Sequence, residues 1–75
     1  MPLSKAEKNL LENEVKDVRF AQTSPRTIFA VVIGKDDFEY YGASSCRNLE
    51  DFDEDLGREY AMRQALGKLY RKLNN

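Results

Sequence analysis

Seventy-five residues with a formal net charge of −1 form one small domain. A single cysteine, Cys46, and no histidine exclude an internal disulfide, and one thiol cannot build a zinc site. Charged residues at 33% and hydrophobics at 41%, with no apolar run approaching ~18 residues, exclude both a disordered chain and a membrane span.

The start, MPLSKAEKNLLENE, is polar and lacks the apolar core of a secretion signal, so a cytoplasmic location is expected. A lone free thiol suits the same reducing interior. Ser4 with Glu7 three residues on is a capping box, and Ala6, Leu10 and Leu11 come next at helical spacing, which predicts a short helix over residues 5–14. VKDVRFA alternates, with Val18 and Phe20 on one side and Asp17 and Arg19 on the other, which predicts a strand over 15–21. QTSPR (22–26) reads as a loop, because proline and small polar residues resist regular structure. TIFAVVI (27–33) is the strongest strand, rich in β-branched residues. It is apolar on both faces, and a single helix covers only one, so the other must meet the N-terminal helix or another chain. GKDD turns, and FEYYGASS (38–45) returns as its antiparallel partner. Gly42 inside that strand marks a bulge or a close approach.

The last third predicts one helix over residues 49–73, capped by Asn48, with a length of roughly 36 Å at ~1.5 Å per residue. On a helical wheel Leu49, Phe52, Leu56, Tyr60, Met62, Leu66, Leu69, Tyr70 and Leu73 share one arc, the expected core face. Glu59 and Arg63 fall inside it, one turn apart, as an ion pair or an intersubunit contact. Gly57, Ala61 and Ala65 form a second line of small residues on roughly the opposite side. Glycine costs about 1 kcal/mol in a helix interior, so Gly57 asks for close packing on the sheet or on a second subunit, which makes this line a candidate dimer face. The fold expected is α+β, in the order α-β-β-β-α, with a small antiparallel three-stranded sheet packed on the long C-terminal helix.

Charge is unevenly placed: +1 over residues 1–26, −6 over 27–57 and +4 over 58–75. The acids Glu50, Asp51, Asp53, Glu54 and Asp55 sit where a helix start favours negative charge, and Arg63, Lys68, Arg71 and Lys72 sit where its end favours positive charge. The same acids could form a docking patch, but DFDEDLGRE lacks the spacing of a calcium loop. Without histidine, a glycine-rich phosphate loop or a nucleophile elbow, no enzyme constellation is present and no cofactor is expected. Cys46 lacks a histidine base and is expected to be a small buried thiol. Tyr40 and Tyr41 point to opposite faces of their strand, one to the core and one outward.

The hairpin ending in YGASSC, followed by NLEDFDEDLGREYAMRQALGKLY, resembles a family of small podovirus proteins named for gene product forty-nine of a coliphage and gene sixty-six of a Shigella phage. Gly42, Ser44 and Cys46 match its G-x-S-x-C pattern. Phe52, Asp53, Glu54, Gly57 and Arg58 match its F-D-E-x-[IL]-G-R, and Ala61, Ala65 and Tyr70 match its A-x-x-x-A and following aromatic. The resemblance covers about residues 31–73 well and the N-terminal helix loosely. It departs where Leu49 replaces a frequent proline and where Lys-Leu-Asn-Asn replaces a frequent tryptophan-bearing tail. It implies a phage or prophage accessory protein and no particular chemistry. The leading expectation is a non-enzymatic protein that binds a host or phage protein, alone or as a homodimer, through Asp53, Glu54, Arg58 and whichever of Tyr40 and Tyr41 is exposed. The alternative is nucleic-acid association through Arg58, Arg63, Lys68, Arg71 and Lys72, and a third is a structural piece of the virion.

Overall fold

A computed structural model describes residues 3–74 of the chain. Helix α1 (Lys5–Asn13) leads into strands β1 (Val15–Ser24), β2 (Thr27–Gly34) and β3 (Glu39–Ser45), and helix α2 (Glu54–Leu73) closes the chain. The three strands form one antiparallel sheet in the order β1-β2-β3. The capping box at the head of α1 is formed in both directions: the Ser4 hydroxyl accepts from the Glu7 amide at 3.2 Å, and the Ser4 amide donates to Glu7 Oε1 at 2.8 Å.

Strand β1 runs three residues beyond the expected end. Ser24 pairs with Thr27, so only Pro25 and Arg26 make the turn, and the polar stretch Gln22–Ser24 is edge strand rather than loop. Proline's fixed φ suits the first position of so tight a turn. In the second hairpin Asp37 takes φ 68°, and the Gly34 amide donates to the Phe38 carbonyl at 2.9 Å. Aspartate tolerates that left-handed conformation better than most residues.

The start of α2 also differs from the expected single helix. Leu49–Asp51 form a 3-10 turn, the chain opens at Phe52, and the N-cap is Asp53, not Asn48. The Asp53 carboxylate accepts from the amides of Asp55 and Leu56, at 3.0 and 3.2 Å. Phe52 sits in the gap between the two helical pieces and packs against Ile28, Ala30 and Ala61.

The core lies between the sheet and α2. Ile28, Ala30, Val32 and Tyr40 supply the sheet side, and Ala61, Ala65, Leu66 and Leu69 supply the helix side. Helix α1 closes one flank with Leu10 and Leu11, beside Val15 and Val18. The buried face of α2 is rotated by roughly a third of a turn, at about 100° per residue, from the expected one. Leu66 and Leu69 are buried as expected, but Leu56, Tyr60, Tyr70 and Leu73 are exposed, while Gly57, Ala61 and Ala65 are buried. The Leu49 side chain lies outside the described residues.

The reason is the distance between the layers. A Cβ on Gly42 would lie 1.9 Å from the Ala61 carbonyl oxygen and 2.8 Å from the Ala65 nitrogen. The helix backbone rests directly on the strand backbone, and only small side chains fit between them. Gly57 fills the same role further along, where a Cβ would approach Ile28 Cδ1 to 2.9 Å.

Both helices lie on one face of the sheet. The other face carries Phe29, Val31 and Ile33 of β2, flanked by Ala21 and Arg19 of β1 and by Ala43, Tyr41 and Glu39 of β3. At each sheet edge a side chain takes up one strand amide. Gln64 Oε1 accepts from the Ala43 amide at 2.8 Å, and Asp17 Oδ1 accepts from the Val18 amide at 2.9 Å.

Candidate docking surfaces

The acidic helix start is occupied by its own backbone and by one arginine. Asp53 is used in capping, and Arg58 pairs with Glu54 one turn away and lies 3.8 Å from Asp55. The Arg58 guanidinium also sits 6.0 Å from the ring centre of Phe20, which holds the side chain along the domain's flank. Of these groups Asp53 also lines a shallow cleft of about 150 Å³, together with Ser44, Cys46, Phe52, Gly57 and Tyr60 among others. Cys46 is half-buried there rather than fully buried, and its thiol donates to the Asn48 carbonyl at 3.0 Å.

Tyr40 and Tyr41 separate as their alternation requires. Tyr40 is buried, and its hydroxyl donates to Asp36 Oδ2 at 3.2 Å. Tyr41 stands on the open sheet face, 51% exposed, with its hydroxyl 2.6 Å from Glu39 Oε1. That contact with a carboxylate raises the Tyr41 pKa above its ordinary value. The exposed tyrosine and the acidic helix start therefore lie on opposite layers of the domain and do not make one patch.

The C-terminal cations are divided. Lys72 lies 3.3 Å from the ring centre of Phe38 and donates to Asp36 Oδ2 at 3.2 Å, which pins the end of α2 to the β2–β3 turn. Burial alone would raise the Asp36 pKa, but hydrogen bonds from the Phe38 amide, Lys72 and Tyr40 outweigh it and leave the carboxyl below its usual range. Burial likewise pushes Lys72 down, and its contacts with Asp36 and Tyr40 carry it above the usual lysine value. Arg63 is half-buried and donates to Glu7 of α1 at 2.8 Å. Lys68 and Arg71 point to solvent.

Gly57, Ala61 and Ala65 are covered by the sheet, so the face offered by sequence as a dimer contact is inside the protomer. Two other surfaces are open instead. One is the sheet face, where Phe29 is 42% exposed beside Tyr41 and the half-buried Val31 and Ile33. Its signal is the strand TIFAVVI, apolar at every position but the first when one helix layer can cover only one face. Helix α1 lies on the same side as α2 and leaves that second face uncovered. The other surface, which sequence reasoning missed, is the solvent side of α2, with Tyr60, Gly67 and Tyr70. Beside it an apolar groove of about 200 Å³ runs between the helices past Ala6, Leu10 and Leu66. Among the described residues no group of acidic or cysteine side chains is placed to hold a metal ion, and no helix is long and apolar enough to cross a membrane.

The family model described as the phage protein (N4 Gp49/phage Sf6 gene 66) family matches residues 4–73. The chain belongs to that family, and the match takes in α1 as well as the hairpin and α2. No curated protein and no solved structure matches it.

Proposed function

We propose that this phage-family protein is a non-enzymatic accessory protein that works by docking on another protein, of host or phage, through the open face of its sheet. The observation that supports this reading is the uncovered patch of Phe29, Val31, Ile33 and Tyr41. An aromatic and aliphatic cluster on a flat, rigid sheet can be buried at little entropic cost, and tyrosine and phenylalanine are enriched at interface centres. Arg19 and Asp17 on one side and Glu39 on the other give the patch a charged rim. The partner that fits has an apolar strip bordered by charges of both signs.

The carboxylates at the start of α2 are engaged in capping and pairing, which favours a structural over a chemical role for them. The nucleic-acid reading is weakened because Arg58, Arg63 and Lys72 already contact carboxylates of their own chain, which leaves Lys68 and Arg71 as a thin footprint for phosphate.

The test is affinity capture from phage-infected host lysate, with nuclease, using the wild-type chain and a Phe29→Ser/Tyr41→Ser variant. Both positions are exposed, so the variant should keep its circular dichroism spectrum. A protein retained by wild type and lost with the variant is the expected result. Equal retention by both would move the docking surface elsewhere, and loss of the captured material on nuclease treatment would return the nucleic-acid reading.

A further inference from the structure

Helix α1 is nine residues long. Helices shorter than ~12–15 residues are marginal in water by themselves, so α1 is kept helical by what it touches. Glu7, Leu10 and Leu11 are half-buried, and the rest of the helix is exposed. Leu10 and Leu11 lie against the core cluster that includes Leu66 and Leu69. The contact is loosely filled. The groove of about 200 Å³ past Ala6, Leu10 and Leu66 adjoins another of about 290 Å³ past Asn9, Asn13, Tyr70 and Leu73. A contact packed to the density of a protein interior leaves no such space.

One carboxylate serves both the helix and its attachment. Glu7 Oε1 accepts from the Ser4 amide at 2.8 Å, which closes the capping box, and Glu7 Oε2 accepts from Arg63 Nε of α2 at 2.8 Å. A helix that unwinds at its head withdraws this carboxylate from Arg63, and a helix that leaves α2 loses the contacts that keep it wound. The root of α1 is fixed separately. The Glu14 carbonyl accepts from the Lys35 amide at 2.9 Å, and the Lys16 ammonium donates to Asp37 Oδ1 at 2.8 Å, both on the β2–β3 turn. Motion of α1 therefore stops at Glu14 and leaves the sheet in register.

We propose that α1 is a latch: it unwinds and leaves α2 as a single unit, hinged at Glu14 with Glu7 as the catch, while the sheet and α2 stay folded. Openings of this kind, below the free energy of global unfolding, belong to elements with few buried apolar contacts. Opening uncovers Leu66 on its α1 side, a residue that is 1% exposed when the latch is closed. The helix is thus a removable cover over one flank of α2. It lies on the face of the sheet opposite Phe29 and Tyr41, so the latch does not rest on the open sheet face being the docking surface.

The test is amide hydrogen exchange of the full chain, read residue by residue by nuclear magnetic resonance. The amides of residues 8–14 should be protected to a similar degree along the helix, and about tenfold or more below those of Ala30 and Val32 in β2. Two kinds of substitution separate opening of α1 from unfolding of the domain. Ile28→Val trims the core where Ile28 packs with Ala30, Ala61 and Phe52, away from α1. It weakens the closed and open forms alike, so protection of Ala30 and Val32 should fall by roughly two- to tenfold, while that of residues 8–14 stays the same. Arg63→Gln removes the charge that holds Glu7, and Ser4→Ala removes the cap. Each should speed exchange about fivefold at every amide of residues 8–14. Equal loss of protection in α1 and β2 on Ile28→Val overturns the proposal, because α1 would then open only with the whole domain. Faster exchange confined to the first turn in Arg63→Gln is fraying and overturns it too. So does an α1 without protection in the wild-type chain, which would have nothing to latch.

Discussion

Gly42 and Gly57 both face the contact between α2 and the sheet, but they answer to different neighbours. At Gly42 a methyl group would strike the helix backbone itself, at the Ala61 carbonyl oxygen and the Ala65 nitrogen. Neither atom can move without lifting the whole helix. At Gly57 the obstacle is the tip of Ile28, a side-chain end that can turn aside. Gly42→Ala should therefore cost about 3 kcal/mol. Gly57→Ala should be near neutral, because the roughly 1 kcal/mol gained in helix propensity offsets the repacking of Ile28. Urea denaturation of the two variants measures the difference. Equal costs would mean that the layers are further apart than the 1.9 Å approach implies. The contrast also explains why the buried face of α2 is hard to read from sequence. A helical wheel weights large apolar residues, so it assigns Leu56, Tyr60 and Tyr70 to the core. The decisive constraint is a glycine on a strand about 20 residues earlier in the chain.

At the scale of elements, the strands and the second hairpin are legible in alternation, β-branching and the short GKDD connection, and the head of α1 in its capping box, whereas the polar residues 22–24 hide the end of β1 and so the tight first turn. The α-β-β-β-α succession and the antiparallel three-stranded sheet agree with the expectation, and the structure adds the strand order β1-β2-β3. The start of α2 does not, because five closely spaced acids offer several caps of similar quality and only packing chooses among them. Phe52 makes that choice by turning into the core, which breaks the helix before it and leaves Asp53 to cap α2. Asp53→Ala should cost about 1 kcal/mol and Asn48→Ala only a few tenths. Thermal unfolding of the pair would show it, and the reverse ranking would put the true helix start at Asn48. Of the residues picked out for docking, Tyr41 is on an open apolar surface and Asp53 and Glu54 are on the other layer. Sequence identifies the exposed tyrosine's neighbours within a strand, but not which layer a distant helix joins.

For the molecule as a whole, the Glu7–Arg63 pair ties the two helices together near the centre of α2. Burial pushes the Glu7 carboxyl up, but the hydrogen bonds from Ser4 and Arg63 outweigh it and hold its pKa below the ordinary value. A carboxyl lowered in the folded state contributes stability that is complete above its unfolded pKa and is lost as pH falls through the folded one. Asp17, beside Arg19, and Asp36 are lowered too and act in the same window. Stability should be level from pH 7 to about 5 and fall below the ordinary carboxylate range. Glu7→Gln should reduce stability at neutral pH by about 1 kcal/mol and flatten the acid limb. Denaturant melts across pH would show this, and an unchanged acid limb would remove the pair from the account. The side chains at the sheet edges have a consequence of another kind. TIFAVVI has the composition of a fibril-forming segment, with high β-propensity, no charge and no proline. It is held in the middle strand, and the strands on either side each have an amide already taken, by Gln64 and by Asp17. A chain adding to either edge would first have to displace a bonded acceptor. Each edge thus carries one built-in obstacle to strand addition, at Val18 on one side and at Ala43 on the other.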